Sequence, residues 1–206
     1  VIIIGAGAAG MMSAIEAGKR GRKVLLVDHY KKIGEKIRIS GGGRCNFTNI
    51  NTNPSKFLSQ NPKFVRSALS QYTQNDFINL INKYDIKFHE KKLGQLFCDH
   101  SAQQIVEMLL KECELANVTI LKEFVIKEID KENNQYNVST ETDKYSSQSL
   151  IVATGGLSVP KIGATSFGYE IAKKFDHDII ETIPALVPLT FNEKILEMCK
   201  ELTGLS

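Results

Sequence analysis

Apolar residues open the chain as an unbroken run, Val1 to Ile4, and give way at once to Gly-Ala-Gly-Ala-Ala-Gly. Such a run predicts a parallel strand buried on both faces. The spacing that follows predicts a helix over about Ala8–Lys19, stopped by Gly21, and a returning strand, "KVLLVD", ending on Asp28. From Lys31 to Pro54 the pattern breaks down and a loop-rich region is expected. Helices are expected over about Pro62–Gln71, where proline suits a first turn, and over about Asn75–Lys83. "IKFHE" and "GQLFC" are short alternating pieces that can pair as a hairpin.

Ser101, with Gln104 three residues on, reads as a capping box for a further helix. Its apolar positions Ala102, Ile105, Val106, Leu109, Leu110 and Cys113 recur at helical spacing, which makes Cys113 a packing residue. Strand-like alternation then runs from Asn117 onward, with a polar turn at Glu132–Gln135. "SLIVATGG" reads as a buried strand ending in glycines. A helix follows over about Gly168–Phe175, and "IPALVPLTF" is an extended segment between two prolines. Strand, glycine turn, helix, strand and a late apolar strand together predict an α/β fold of Rossmann type.

Composition narrows the class only slightly. The 206 residues are 42% hydrophobic and 24% charged, an ordinary globular balance with enough apolar surface for a sizeable core. Net charge is +3, from 26 basic and 23 acidic residues, a balance that reads as having no basic stripe and so predicts no nucleic-acid and no membrane partner. Cys45, Cys98, Cys113 and Cys199 are far apart, with no C-x-x-C pair. That spacing argues against a disulfide framework or a metal site and suits a reducing cytoplasm. The longest apolar runs fall short of the roughly 18 residues that span a bilayer.

The chemistry is expected in three glycine-bearing stretches. Gly5, Gly7 and Gly10 fit G-x-G-x-x-G: a tight turn, a close approach for a pyrophosphate, and close helix–strand packing. The amides at the helix start, around Gly7, Ala8, Ala9 and Gly10, then face the phosphates with the help of the helix dipole. Asp28, 18 residues beyond Gly10, is placed to hold ribose hydroxyls, so the site favours FAD or NAD over NADP. His29 sits beside it as a solvated strand-end residue rather than a catalytic base. In "SGGGRCN", Gly41, Gly42 and Gly43 can form a concave anion nest, flanked by Ser40, Arg44, Asn46 and the nearby cation Lys36. Cys45 reads mainly as packing or as a spacer. A catalytic thiol there requires an electropositive, partly exposed setting. The third stretch, "ATGG", supplies Ala153, Thr154, Gly155 and Gly156 at the carboxyl end of a strand.

"GAGAAGMMSAI", "GEKIRISGGGRCNFTN", "LIVATGG", "GATSFGYEIAKKF" and "PALVPL" stand in an order that resembles the BaiN-like, or aminoacetone-oxidase-like, NAD(P)/FAD-dependent oxidoreductases of bacteria. The resemblance covers Val1 to about Leu189. It implies a two-dinucleotide-type flavoprotein fold with FAD extended along the sheet. Lys36 and Gly42–Asn46 would lie against the pyrophosphate and flavin, the backbone of a strand near Val125 and Ile126 would meet the adenine, and Thr154–Gly156 would line the crevice. Cys98, Ser166, Phe167 and Asp176 depart from the family pattern. NAD(P)H or oxygen is the implied electron partner of a small organic substrate.

In relatives of this type a second domain is inserted after "PALVPL" and the chain then returns to finish the first. The expected domains are therefore 1–187, an incomplete FAD-binding domain, and 188–206, the start of a β-rich insert. The chain is expected to be a fragment whose flavin site is open on one side. Two other readings fit the glycine motifs: a nicotinamide-only dehydrogenase, and a dinucleotide-binding module or sensor without turnover.

Overall fold

The computed structural model describes residues 1–159, 163–184 and 191–200. They divide into two compact units, Val1–Ile171 and the residues from Ala172 onward. The second unit holds the end of one helix and α7 (Glu193–Lys200). The expected boundary at 187/188 and the extended "PALVPL" crossing fall outside the described residues.

A four-stranded parallel sheet organises the first unit. Its order is β10 (Leu150–Val152), β1 (Ile2–Ile4), β2 (Leu25–Val27), β6 (Thr119–Leu121). The pairing is in register, with Ile3 opposite Leu26 on one side and Ile151 on the other. β1 is buried throughout because it has neighbours on both edges and helices above it. "SLIVATGG" differs from its reading as a buried strand: β10 is the sheet's edge, and Val152 is 40% exposed.

Helix α1 (Ala8–Lys19) joins β1 to β2 at the residues read from the sequence. Gly21 ends it as a left-handed C′ residue, with Arg22 N–H donating back to the Ala17 carbonyl at 3.1 Å. Met11, Ala14 and Ile15 of α1 share a core with Ile105, Val106, Leu109 and Cys113 of α5 (Gln103–Leu115). Close approach of the two helices depends on Gly18, where a Cβ would lie 2.3 Å from the Ala116 carbonyl oxygen.

The same helix pair holds an ionic staple. Glu112 of α5 is only 2% exposed, yet Lys19 of α1 lies 3.1 Å away, Lys83 2.6 Å away, and the Tyr84 hydroxyl donates to it at 2.8 Å. Lys83 ends α4 (Gln74–Lys83), so one carboxylate ties three helices together. Burial alone would raise its pKa. The donors from Lys83, Tyr84 and Lys19 outweigh that and hold the carboxyl down at about 2.

Two antiparallel sheets complete the unit. One orders β3 (Asn46–Asn49), β5 (Gln95–Cys98) and β4 (Phe88–Glu90), and the other β7 (Glu128–Glu132), β8 (Gln135–Ser139) and β9 (Lys144–Ser147). The hairpin of "IKFHE" with "GQLFC" forms as expected, and so does the turn between Glu132 and Gln135. There Asn133 and Asn134 both take positive φ, as a two-residue hairpin loop needs.

Four other readings need correction. The region from Lys31 to Pro54 is not merely loop. It holds a five-residue helix α2 (Glu35–Ile39), a glycine turn over Ser40–Gly43, and β3, which adds a third strand to the hairpin. The expected helix at Pro62 begins only at Arg66, as α3 (Arg66–Gln71), after three-residue turns closed onto Asn61 and Lys63. Ser101 does not form its box: Gln104 Oε1 is buried without a partner, and the Ser101 hydroxyl accepts only from Gln103 N–H at 3.1 Å. The reciprocal box belongs to Thr73 and Asp76 at the start of α4. Finally, Val125 and Ile126 lie in the connection between β6 and β7, not in a strand.

Candidate dinucleotide-binding site

The parallel sheet changes direction of growth at β1: β2 is added on one side and β10 on the other. A crevice opens there, outside the carboxyl ends of the strands, which is where open α/β sheets bind ligands. A cavity of about 360 Å³ occupies it, lined by Gly5 after β1, Asp28 and His29 after β2, Val125 and Ile126, and Thr154 after β10. That volume falls within the range of small-molecule and cofactor pockets. Ile4, Val27, Phe124 and Phe167 give it apolar walls.

Asp28 is the polar anchor. Its Oδ2 accepts from Ala6 N–H at 2.7 Å and its Oδ1 from Tyr30 N–H at 2.8 Å. One carboxylate thus fixes the first glycine turn to the end of β2, and each oxygen keeps a lone pair for a ligand hydroxyl. The segment before Val125 is tied to the same place, since Phe124 N–H donates to the Asp28 carbonyl at 2.9 Å. His29 is half exposed at the rim, with Nδ1 3.7 Å from Asp28 Oδ1.

The glycines divide by what surrounds them. On Gly10 a Cβ would fall 1.7 Å from the Gly5 carbonyl oxygen, and on Gly5 2.5 Å from the Ala153 carbonyl oxygen. These two let the protein pack on itself. Gly7 has nothing within 4 Å of an added Cβ, so its open face is available to a ligand. Gly7 is also the N-cap of α1, with no side-chain cap and no acid in the first turn. The first amides of the helix, including those of Ala8, Ala9 and Gly10, have no internal anion, and the dipole favours an external one.

The second turn is split in the same way. Gly41, Gly42 and Gly43 all take positive φ, at 57°, 65° and 87°. The run is therefore a left-handed turn, closed by Cys45 N–H donating to the Ser40 carbonyl at 3.0 Å. Gly41 is hemmed in by the Phe97 ring at 2.7 Å and Asn46 N at 2.8 Å from a built Cβ, whereas Gly42 faces open space. Arg44 and Asn46 are exposed beside it. A diphosphate fits this chemistry: open backbone at Gly7 and Gly42, an uncapped helix start, and a fixed arginine charge.

Lys36 links this turn to the third stretch. Its ammonium donates to Ser158 Oγ at 2.8 Å and lies 3.6 Å from where a Cβ on Gly155 would be. Gly156 faces the Tyr169 hydroxyl at 3.3 Å from a built Cβ. Ser40–Asn46 do not line the 360 Å³ cavity. The structure therefore gathers Gly5, Asp28, His29, Val125, Ile126 and Thr154 in one chamber, with Lys36, Gly155 and the second glycine turn connected to it through the Lys36 contact.

Cys45 is 6% exposed and at φ 52°, and burial pushes its thiol pKa up, only partly offset by Ser40. It has neither the exposure nor the acidity of a reactive thiolate. Sequence reasoning missed Gly168 and Tyr169. On Gly168 a Cβ would lie 2.4 Å from Thr154 Oγ1, so this glycine lets α6 (Phe167–Lys174) seat against the crevice. A glycine one residue inside a helix was the available signal. Among the described residues no cluster of histidine, cysteine or carboxylate side chains could hold a metal ion, and no helix is long and apolar enough to cross a membrane.

Known proteins agree with the fold. The profile of the HI0933-like protein Rossmann domain family matches residues 1–203. "Ribosomal RNA dihydrouridine synthase" of Escherichia coli K12 is 50% identical over 205 residues, covering 100% of this chain and 51% of that protein. "3-Dehydro-bile acid delta(4,6)-reductase" of Clostridium scindens is 26% identical over 190 residues, covering 91% of this chain and 46% of that protein. The chain spans about half the length of the curated relatives it matches. Among solved structures, a 3-ketosteroid-delta4-(5alpha)-dehydrogenase from Rhodococcus jostii RHA1 shares the fold at 11% identity, with a TM-score of 0.54 over 76% of this chain and 45% of that one.

Proposed function

The chain belongs to the HI0933-like Rossmann domain family, and from that premise we propose that the full-length protein is an FAD-dependent oxidoreductase that reduces a carbon–carbon double bond conjugated to a carbonyl. The cofactor is FAD. When bound and reduced by NAD(P)H, it would supply the hydride for one carbon of that bond, the other carbon taking a proton.

The chain's own residues bind and orient. Asp28 takes ribose hydroxyls, the backbone around Val125 and Ile126 meets the adenine, and Phe124 and Phe167 exclude water from that end. The amides after Gly7 and the open face of Gly42 accept the diphosphate, with Arg44 balancing its charge. Lys36 and Thr154–Gly156 position the segment between diphosphate and flavin. Cys45 is a packing residue in this scheme.

The substrate proposed is a uracil ring in ribosomal RNA, reduced to dihydrouracil. The relative at 50% identity is named for that reaction, and identity of this level over 100% of the chain supports the same cofactor geometry. The whole-chain charge of +3, which spoke against nucleic acid, averages over residues 36–75, which carry +6. A second reading, a bile-acid-reductase-like enzyme acting on a small molecule, is favoured by the relative at 26% identity. Both readings share the conjugated double bond or carbonyl chemistry and differ in what lies around it.

The observation carrying the cofactor reading is the crevice that joins Gly5, Asp28 and Thr154 at the direction change of the sheet. The test is direct. Full-length protein should purify yellow, oxidise NADH or NADPH, and restore dihydrouridine, measured by mass spectrometry of digested ribosomal RNA, to cells lacking the gene. Flavin with NAD(P)H oxidation but no dihydrouridine would move the assignment to the small-molecule reading. Absence of flavin would remove both.

A further inference from the structure

Between Glu35 and Asp76 the chain contains no acidic residue, while Lys36, Arg38, Arg44, Lys56, Lys63 and Arg66 are all basic. Forty residues thus carry +6 in a chain whose total is +3, leaving a net −3 for everything else. Aromatic residues are interleaved with the cations: Phe47, Phe57, Phe64 and Tyr72.

From Ile50 to Tyr72 this stretch stands out from the surface around it. Leu58 is 94% exposed, Phe64 79% and Phe57 43%. Lys56, Lys63 and Arg66 are exposed and make no ion pair among the described residues. The backbone takes its shape from asparagine side chains: Asn49 Oδ1 accepts from Asn51 N–H at 2.8 Å, Asn53 Oδ1 from Ser55 N–H at 3.0 Å, and Asn61 Oδ1 from Lys63 N–H at 3.3 Å. Such local turns hold a loop open without a core beneath it. β3 leads directly from the Gly41–Gly43 turn into this segment.

We propose that residues 50–72 are an RNA-docking surface, with Lys56, Lys63 and Arg66 on the phosphate backbone and Phe57 and Phe64 stacking on unpaired bases. The proposal rests on the RNA reading of the function and says where that substrate is held. A solvated protein face mixes both signs of charge and hides its phenylalanines. A face covered by protein is depleted in lysine at its centre. Cations alternating with exposed aromatics, with no carboxylate in the segment itself and the neighbouring acids Asp76, Glu16 and Glu112 gathered at its Tyr72 end, is the combination single-stranded RNA selects.

The test uses the full-length, flavin-bound protein and a fluorescein-labelled polyuridylate. Wild type should bind with an affinity that falls linearly in log–log form with salt. The triple variant Lys56→Gln, Lys63→Gln, Arg66→Gln should bind at least about 10-fold more weakly, with a salt slope lower by about 2, as three lost single-strand phosphate contacts require. Phe64→Ser should weaken binding about 5- to 10-fold without changing the slope, because stacking is not ionic. Flavin content and NAD(P)H oxidation should stay at wild-type level in both variants.

Unchanged affinity and slope in the triple variant overturn the proposal, as does wild-type protein that shows no salt-dependent binding. Lost flavin or aggregation in either variant also overturns it, since the face would then be one that protein covers. The two readings fail separately. Binding that depends on the three cations, without dihydrouridine formation, retires the reductase substrate and leaves this surface standing. Wild-type dihydrouridine formation by the triple variant does the reverse.

Discussion

The two glycine turns, Gly5–Gly10 and Gly41–Gly43, look alike in sequence and are built on different principles. The first rises from a buried strand into a helix, and two of its three glycines exist so that backbone can touch backbone. The second is a left-handed turn on the surface, in which every glycine has a positive φ and only Gly41 is enclosed by neighbours. In each turn one glycine faces open space: Gly7 in the first, Gly42 in the second. Glycine content alone does not separate the residues that bind from the residues that pack.

Gly10→Ala tests the packing half and should have the largest effect. Its Cβ has no room beside the Gly5 carbonyl, so β1 and α1 must separate. Loss of about 3 kcal/mol or more is expected, read as a collapse of soluble yield or of the urea midpoint. Wild-type stability in this variant would mean that the turn is not closed as described.

Next in size is a control located away from both turns. Glu112 has a folded pKa of about 2 against an unfolded value near 4.5. A depressed carboxylate stabilises the fold above its unfolded pKa and loses that contribution as pH falls towards the folded value. Wild type should therefore lose on the order of 3 kcal/mol between about pH 4.5 and 2. Glu112→Gln should be less stable at neutral pH, show no such fall, and converge on wild type near pH 2, with flavin affinity unchanged. A variant that bound flavin more weakly would place this staple within reach of the site.

Gly7→Ala isolates the binding half. Gly7 has φ −83° and open space around it, so the stability loss should stay within about 1 kcal/mol, the cost of alanine at an N-cap. Flavin affinity should nevertheless fall about tenfold or more, measured by fluorescence titration, because the methyl group occupies the diphosphate's approach. Gly42→Ala should lose affinity similarly, with about 1 kcal/mol of added strain from its left-handed backbone. The smallest effect belongs to Cys45→Ser: NAD(P)H turnover should remain within about twofold, since the buried thiol is held neutral. A collapse of turnover with flavin retained would restore that thiol as a participant.

What the sequence disclosed follows the range of each signal. The β1–α1–β2 unit was legible to the residue at both helix ends, because apolar periodicity, the glycines and Asp28 are all local. The hairpins were legible from alternation and from Asn133–Asn134. Helix α2 was not: five residues carry too little of a 3.6 period, and it starts from a left-handed Gly34. The capping box was assigned to Ser101 and Gln104 because the usual pattern expects glutamate or glutamine, whereas Thr73 uses the shorter Asp76. Contacts between distant positions had no local signature, among them Lys36 with Ser158 and Gly168 with Thr154. Net charge carried no positional signal, since +3 is the sum of +6 over residues 36–75 and −3 over the rest.

Strand β1 is sandwiched between β2 and a partner made some 125 residues later, and Gly5 rests on the Ala153 carbonyl that follows that partner. During synthesis the amino-terminal turn therefore waits, half-walled, until the stretch through Gly155 has left the ribosome. Chains arrested short of that point should emerge colourless, and vitamin supply should govern maturation of this protein only after most of the domain has been translated.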